Sequence, residues 1–159
     1  MNEKTSQLLA PTRRFSVPLS STPRGARLAR LLATEQLRTW DIPYGTTEAA
    51  EHIVAELAAN AATHGRLPGR DFLLALEAGA DVLRIEVTDT RGDVLPSPVQ
   101  AQPLSPCVES GRGLVLVEAL ADRWGVTHGP IPRKTIWAEL ELAPNSGNPD
   151  FGVPGASNP

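Results

Sequence analysis

The chain has 159 residues, with 15 Lys and Arg against 18 Asp and Glu, a formal charge of −3. That length suits one domain with a real core, and the acidic balance argues against a broad nucleic-acid surface. The one cysteine, Cys107, excludes an intramolecular disulfide framework, and neither a membrane-length apolar run nor an apolar signal core near Met1 is visible, so a cytoplasmic protein is expected.

Met1 to Thr12 is polar without a sustained period, and Pro144 to Pro159 is rich in Pro, Gly, Ser and Asn. Such stretches bury too little apolar surface to order themselves, so a core domain over residues 13–143 is expected between flexible tails, 1–12 and 144–159. Phe15, Val17 and Leu19 alternate with polar or small neighbours, the signature of a first strand. Thr22-Pro23 then reads as a helix N-cap followed by proline in the first turn. Ala29, Leu32, Ala33 and Leu37 give the next segment a helical stripe that ends before Ile42-Pro43. A second helix is expected from about Thr46 to His64, with Gly65 placed to end it. Phe72–Leu76 and Val82–Thr88 read as paired strands joined through Ala78-Gly79-Ala80-Asp81. Four prolines (Pro96, Pro98, Pro103 and Pro106) make residues 90–110 a long loop. A third helix, Gly113 to Arg123, and two strands near Trp124–His128 and Thr135–Leu142 complete the order.

Leu83, Ile85 and Val87 alternate with Arg84, Glu86 and Thr88, and Ile136, Ala138, Leu140 and Leu142 with Thr135, Trp137, Glu139 and Glu141. Strict alternation means one sheet face is packed and the other wet. The expected fold is therefore α+β: a two-layer α/β sandwich, its mixed sheet carrying all helices on one face.

Three features can carry chemistry. On the second helix, Ala50, Ile53, Val54, Leu57 and Ala61 form a core face. His52, Glu56, Asn60 and either Thr63 or His64 form a second, polar stripe at about four-residue spacing. Glu56 and Asn60 sit one turn apart, and their oxygens suit a hard cation such as Mg²⁺, or a base beside one. A solvated helix face explains the same residues, although asparagine is a weak helix former. Next, Val87-Thr88-Asp89 ends an apolar strand on an acid able to accept a hydrogen bond from an exocyclic amine, as an ordinary Asp turn also would. Finally, Ser110-Gly111-Arg112-Gly113-Leu114 opens the third helix, where glycines expose backbone N–H groups to a phosphate. It is neither a P-loop nor a dinucleotide fingerprint.

In this order the three features resemble the GHKL ATPase/kinase superfamily, whose ATP-binding fold is the Bergerat sandwich. Within it the chain is most similar to the small stand-alone branch of anti-sigma-factor serine/threonine kinases. The matching stretches are Glu56-Leu-Ala-Ala-Asn-Ala-Ala-Thr-His-Gly65, Val87-Thr-Asp89, the run from Gly111 to Gly125, and Lys134-Thr-Ile-Trp-Ala-Glu-Leu140. The resemblance implies that Asn60 is the Mg²⁺ ligand bridging to ATP, Glu56 the catalytic general base, and Asp89 the acid that reads adenine. It implies that Thr135 supports that acid, and that Gly111, Arg112, Gly113 and Leu114 wrap the phosphates beneath a lid over residues 93–110. Gly92 falls in the adenine-side box, and His64 lies beside the site with its role open. The box departs from the family's Asp-x-Gly-x-Gly: here it reads Asp89-Thr90-Arg91-Gly92-Asp93, with both expected glycines gone. Arg133 also stands where a glycine often precedes the Lys-Thr pair.

The resemblance implies an ATP- and Mg²⁺-dependent serine/threonine protein kinase acting in transcription regulation. Its partners would be an anti-sigma-factor antagonist and a competing sigma factor, with no direct nucleic acid and no membrane; members of this type are often homodimers. The alternative is a nucleotide-sensing protein-interaction module without significant turnover, which the altered box favours. A histidine-kinase-like domain serving another chain is a third, weaker reading. Elsewhere, His52, His64 and His128 lack zinc spacing, and Trp40, Trp124 and Trp137 read as core or sheet-face residues. Arg13, Arg14, Arg24, Arg27 and Arg30 make the first part basic, as a solvated face or as a docking surface.

Overall fold

Strand β1 (Arg13–Ser20) leads into helices α1 (Pro23–Thr39) and α2 (Tyr44–His64), then strands β2 (Asp71–Ala78) and β3 (Val82–Asp89). Helix α3 (Val108–Leu120) and strands β4 (Arg123–His128) and β5 (Lys134–Glu141) follow. The computed structural model describes residues 11–64, 70–89, 108–129 and 133–142. Among these, no helix is long and apolar enough to cross a membrane.

The strands form one sheet in the order β1-β2-β3-β5-β4. All four pairings are antiparallel, so the expected mixed sheet is corrected to an antiparallel one. For two of the four pairings the physical reason lies in the connections. β2–β3 and β4–β5 join neighbours through short links, and a parallel pair needs a crossover of a dozen or more residues. Gly79 makes the first link tight, its N–H donating to the Val82 carbonyl at 2.9 Å.

Alternation decides which face is covered. Phe72, Leu74, Leu76 and Ala78 of β2, Leu83, Ile85 and Val87 of β3, and Ala138 and Leu140 of β5 are all buried. They meet Ala29, Ala33 and Leu37 of α1 and Ala50, Ile53, Val54, Leu57, Ala58 and Ala61 of α2. Phe72 is fully buried; a side chain of that size contributes about 2–3 kcal/mol by leaving water. The other face carries ion pairs instead of helices. Arg84 reaches Glu86 at 2.6 Å and Glu139 at 3.7 Å, while Arg123 reaches Glu139 at 3.6 Å and Glu141 at 3.2 Å. The hydrogen bond to Glu141 raises the pKa of Arg123 further above its ordinary value. The Arg84 guanidinium also lies 4.5 Å from the centre of the Trp137 ring, and that ring packs where a Cβ on Gly125 would approach it to 2.8 Å.

Thr22 caps α1 as its sequence predicts: the hydroxyl accepts from the Gly25 N–H at 3.0 Å, and Pro23 occupies the first turn. The α1–α2 link turns through Asp41, which adopts φ 55°, a left-handed conformation that Asp tolerates better than most residues. Ile42 then donates its N–H to the Leu37 carbonyl at 3.0 Å, closing the end of α1.

Helix α3 differs from expectation. It starts at Val108, five residues before Gly113, and ends at Leu120 rather than Arg123, so residues 108–110 are helix rather than loop. Glu109 and Ser110 suit a first helical turn, where an acid meets the positive end of the helix dipole. Each glycine opposes the helix by only about 1 kcal/mol. At the other end, the Asp122 carboxylate accepts from the Glu141 N–H at 2.7 Å, which holds the turn into β4.

Candidate functional site

Helix α2 gives the site its wall. Its core stripe falls where the periodicity predicts, and Glu56 and Asn60 flank that stripe half-buried. Arg30 of α1 meets Glu51 at 2.6 Å, marking the flank of α2 that faces α1. At 100° per residue, Glu56 and Asn60 lie about 140° and 180° around the axis from Glu51. They therefore point away from α1, about 6 Å apart along the helix. His52 and Thr63, offered as members of the same stripe, are exposed, and the Thr63 hydroxyl donates to the Ala59 carbonyl at 2.8 Å. They belong to the solvated face. His64 is the last residue of α2, and its side chain lies outside the described residues.

Asp89 closes β3 on the parity of Leu83, Ile85 and Val87, so its carboxylate lies on the helix-facing side of the sheet, half-buried. Only a short link separates His64 from Asp71, and β2 pairs Phe72 with Asp89. The acid therefore sits at the same end of the molecule as the C-terminal half of α2. Helix α3 packs on α2, and its C-terminus leads at once into Arg123, across the sheet from Glu139. Its N-terminal half thus runs back toward the Asp89 end. The α2 flank, the end of β3 and the N-terminal half of α3 lie toward one end of the molecule, and α2 contacts both β3 and α3.

The glycine motif needs correction. Gly111, Arg112 and Gly113 lie inside α3 rather than at its N-terminus. The N–H groups of Arg112 and Gly113 are positioned to bond the carbonyls of Val108 and Glu109, leaving the free donors of this helix around residues 108–111. The side chains of residues 108–113 lie outside the described set, and Leu114 is half-buried. Gly92, with the rest of the adenine-side box beyond Asp89 and the lid, also lies outside the described residues.

Thr135 is not where the resemblance implies. Its register partner is Thr88, and the two hydroxyls are 2.8 Å apart. Both stand on the ion-paired face with Trp137 and Glu139, whereas Asp89 stands on the helix-facing side. Lys134, a residue without an expected role, is the register partner of Asp89 and shares its face. Alternation alone already sets Thr135 and Asp89 on opposite faces; register adds that Lys134 is the residue directly opposite Asp89.

Residues 19–138 match the family model described as the histidine kinase-like ATPase domain, and the chain belongs to that family. Among solved structures it is similar to the RsbU and RsbW domains of Rv1364c from Mycobacterium tuberculosis, with a TM-score of 0.62 and 23% identity. That match covers 84% of this chain and 33% of the other, so this chain spans about a third of that structure's length and shares its fold. No curated protein sequence matches.

The described residues fit the ATP and Mg²⁺ that the family implies. Asp89 offers a carboxylate acceptor for an exocyclic amine, and Asn60 and Glu56 offer half-buried oxygens to a hard cation. Among the described residues no three His, Cys, Asp or Glu gather around a common point.

Proposed function

We propose that the chain binds ATP with Mg²⁺ and transfers a phosphoryl group to a serine or threonine of a partner protein, as an anti-sigma-factor kinase does. The observation that carries this is the half-buried Glu56–Asn60 pair, set on the flank of α2 away from α1 and at the Asp89 end of the sheet. When bound, ATP supplies the phosphoryl group and Mg²⁺ neutralises its charge; catalysis in this class is mostly positioning and electrostatics. Asp89 would accept from the adenine amine, and Asn60 would hold the metal through its carboxamide oxygen. Glu56 takes the proton from the partner's hydroxyl as that oxygen bonds to the terminal phosphorus and the bridging P–O bond breaks, with ADP leaving. Thr135, bonded to Thr88, steadies the strand that carries Asp89 rather than the acid itself. The partner is read as an anti-sigma-factor antagonist with a sigma factor competing for the same surface, and the protein as cytoplasmic.

A second reading, ATP sensing without turnover, is favoured by the box Asp89-Thr90-Arg91-Gly92-Asp93. Calorimetric titration of ATP, with and without Mg²⁺, separates these possibilities when it is joined to a phosphate-transfer assay. Asn60→Ala should lose the Mg²⁺-dependent part of binding, about tenfold or more. Glu56→Gln should keep binding and lose transfer by about 10²–10⁴-fold, the usual worth of a general base. Wild type that binds ATP but gives no labelled phosphoprotein or phosphate release leaves sensing as the function. Absence of ATP binding by wild type overturns both.

A further inference from the structure

Helix α1 carries four arginines against one glutamate, Glu35, in a protein of net charge −3. Its buried line, Gly25, Ala29, Ala33 and Leu37, turns inward. Arg24, Arg27, Leu28, Leu31, Glu35 and Arg38 are exposed, and at 100° per residue they fall within an arc of about 100° on the opposite side. Leu28 and Leu31 are 44% and 53% exposed, two of the few large apolar side chains left in water among the described residues. A leucine pair at i, i+3 amid cations is an apolar centre with a charged rim.

The charge on this ridge is unspent. On the sheet, Arg14, Arg84 and Arg123 each face a glutamate within 4.0 Å, and on α1 Arg30 faces Glu51. Arg24, Arg27 and Arg38 form no ion pair with any described residue. Three arginines therefore stand open beside two exposed leucines on one face of α1.

We propose that this ridge docks an acidic amphipathic helix of a partner protein, its leucine-like residues seated on Leu28 and Leu31 and its carboxylates against Arg24, Arg27 and Arg38. Charge complementarity selects this occupant. A second copy joined across a two-fold axis would oppose arginine to arginine. A nucleic acid would leave both leucines unused and meets no aromatic side chain here. A bilayer requires an apolar face free to enter it, whereas the apolar face of α1 is already in the core. The proposal names the chemistry of the partner that the kinase reading requires and rests on that reading. Its site lies on α1, while Glu56 and Asn60 face away from α1, so the two can fail separately.

The test uses the full chain without nucleotide against a display library of helical peptides with random charge, followed by calorimetry on the selected peptides. Selected peptides should carry Asp or Glu flanking Leu or Phe at i, i+3 or i, i+4 spacing. Raising salt from 50 to 300 mM should weaken their binding severalfold. The double variant Arg24→Glu/Arg27→Glu should lose at least tenfold affinity, and Leu28→Ala/Leu31→Ala a similar factor, with helical content and ATP titration unchanged. No selection above background, enrichment of neutral or basic peptides, or equal binding to the variants overturns the proposal. So does preferential binding of wild type to duplex DNA or to phosphatidylserine vesicles. ATP binding that fails while acidic peptides bind would sink the kinase reading and leave the docking ridge in place.

Discussion

In the role proposed for it, Asn60 sets function against stability within one residue. Asparagine is a poor residue for the middle of a helix, and Asn60 sits half-buried well inside the 21-residue α2. If its purpose were stability, alanine would serve better. Asn60→Ala should therefore raise unfolding stability by about 0.5 kcal/mol in urea titration while removing Mg²⁺-dependent ATP binding. Loss of both would identify Asn60 as a structural residue. Gly25 is a contrasting case, fixed by space alone. A Cβ there would lie 1.9 Å from the Ser20 carbonyl oxygen, and backbone yields less than a side-chain tip. Gly25→Ala should destabilise by about 3 kcal/mol, seen as a lower urea midpoint with nucleotide affinity retained among the molecules still folded. Glu56, Asn60 and Asp89 stand out in the sequence as candidates because each breaks a local pattern: polar atoms on a helix flank, or an acid ending an apolar strand. Alternation already puts Thr135 on the wet face, against the role the resemblance implies, whereas the pairing of Lys134 with Asp89 depends on register and is hidden.

At the level of elements, caps and alternation are local and so can be read directly. Thr22-Pro23 starts α1 as predicted, and the Thr22 hydroxyl also lies 2.9 Å from that of Ser20, joining the end of β1 to the helix. Thr22→Ala should cost about 1 kcal/mol, measurable as a lower thermal midpoint, whereas Thr22→Ser should restore most of it. The start of α3 is less legible. A Gly-Arg-Gly run reads as a helix entrance because glycines loosen the backbone, yet they also sit inside a helix when the turn before them is favourable. Glu109 and Ser110 provide such a turn. The antiparallel character of the sheet is similarly hidden, since alternation reports which face is wet but not the direction of the neighbouring strand.

For the whole molecule, the layers divide the labour. One face of the sheet packs against helices and has Glu56, Asn60 and Asp89 on its side; the other holds a net of ion pairs around Arg84. Exposed ion pairs contribute little each, so the value of Arg84 lies in serving Glu86, Glu139 and Trp137 at once. Arg84→Lys keeps the charge but gives up the planar fork and its stacking. It should cost about 1 kcal/mol, with only part of the loss recovered from wild type when both are compared in 1 M NaCl. Equal stability of the two proteins at low salt would mean that the stacking contributes nothing.

The placement of Trp137 has an experimental use. Its indole is held between Gly125 and the Arg84 guanidinium, on the opposite side of the sheet from Asp89. In a variant with Trp40→Phe and Trp124→Phe, Trp137 becomes the sole tryptophan, excited apart from Tyr44 and across the sheet from the proposed nucleotide site. Its emission then follows the integrity of the sheet at any ATP concentration. A shift of the unfolding curve with added ATP would directly register ligand-linked stabilisation, free of contact quenching.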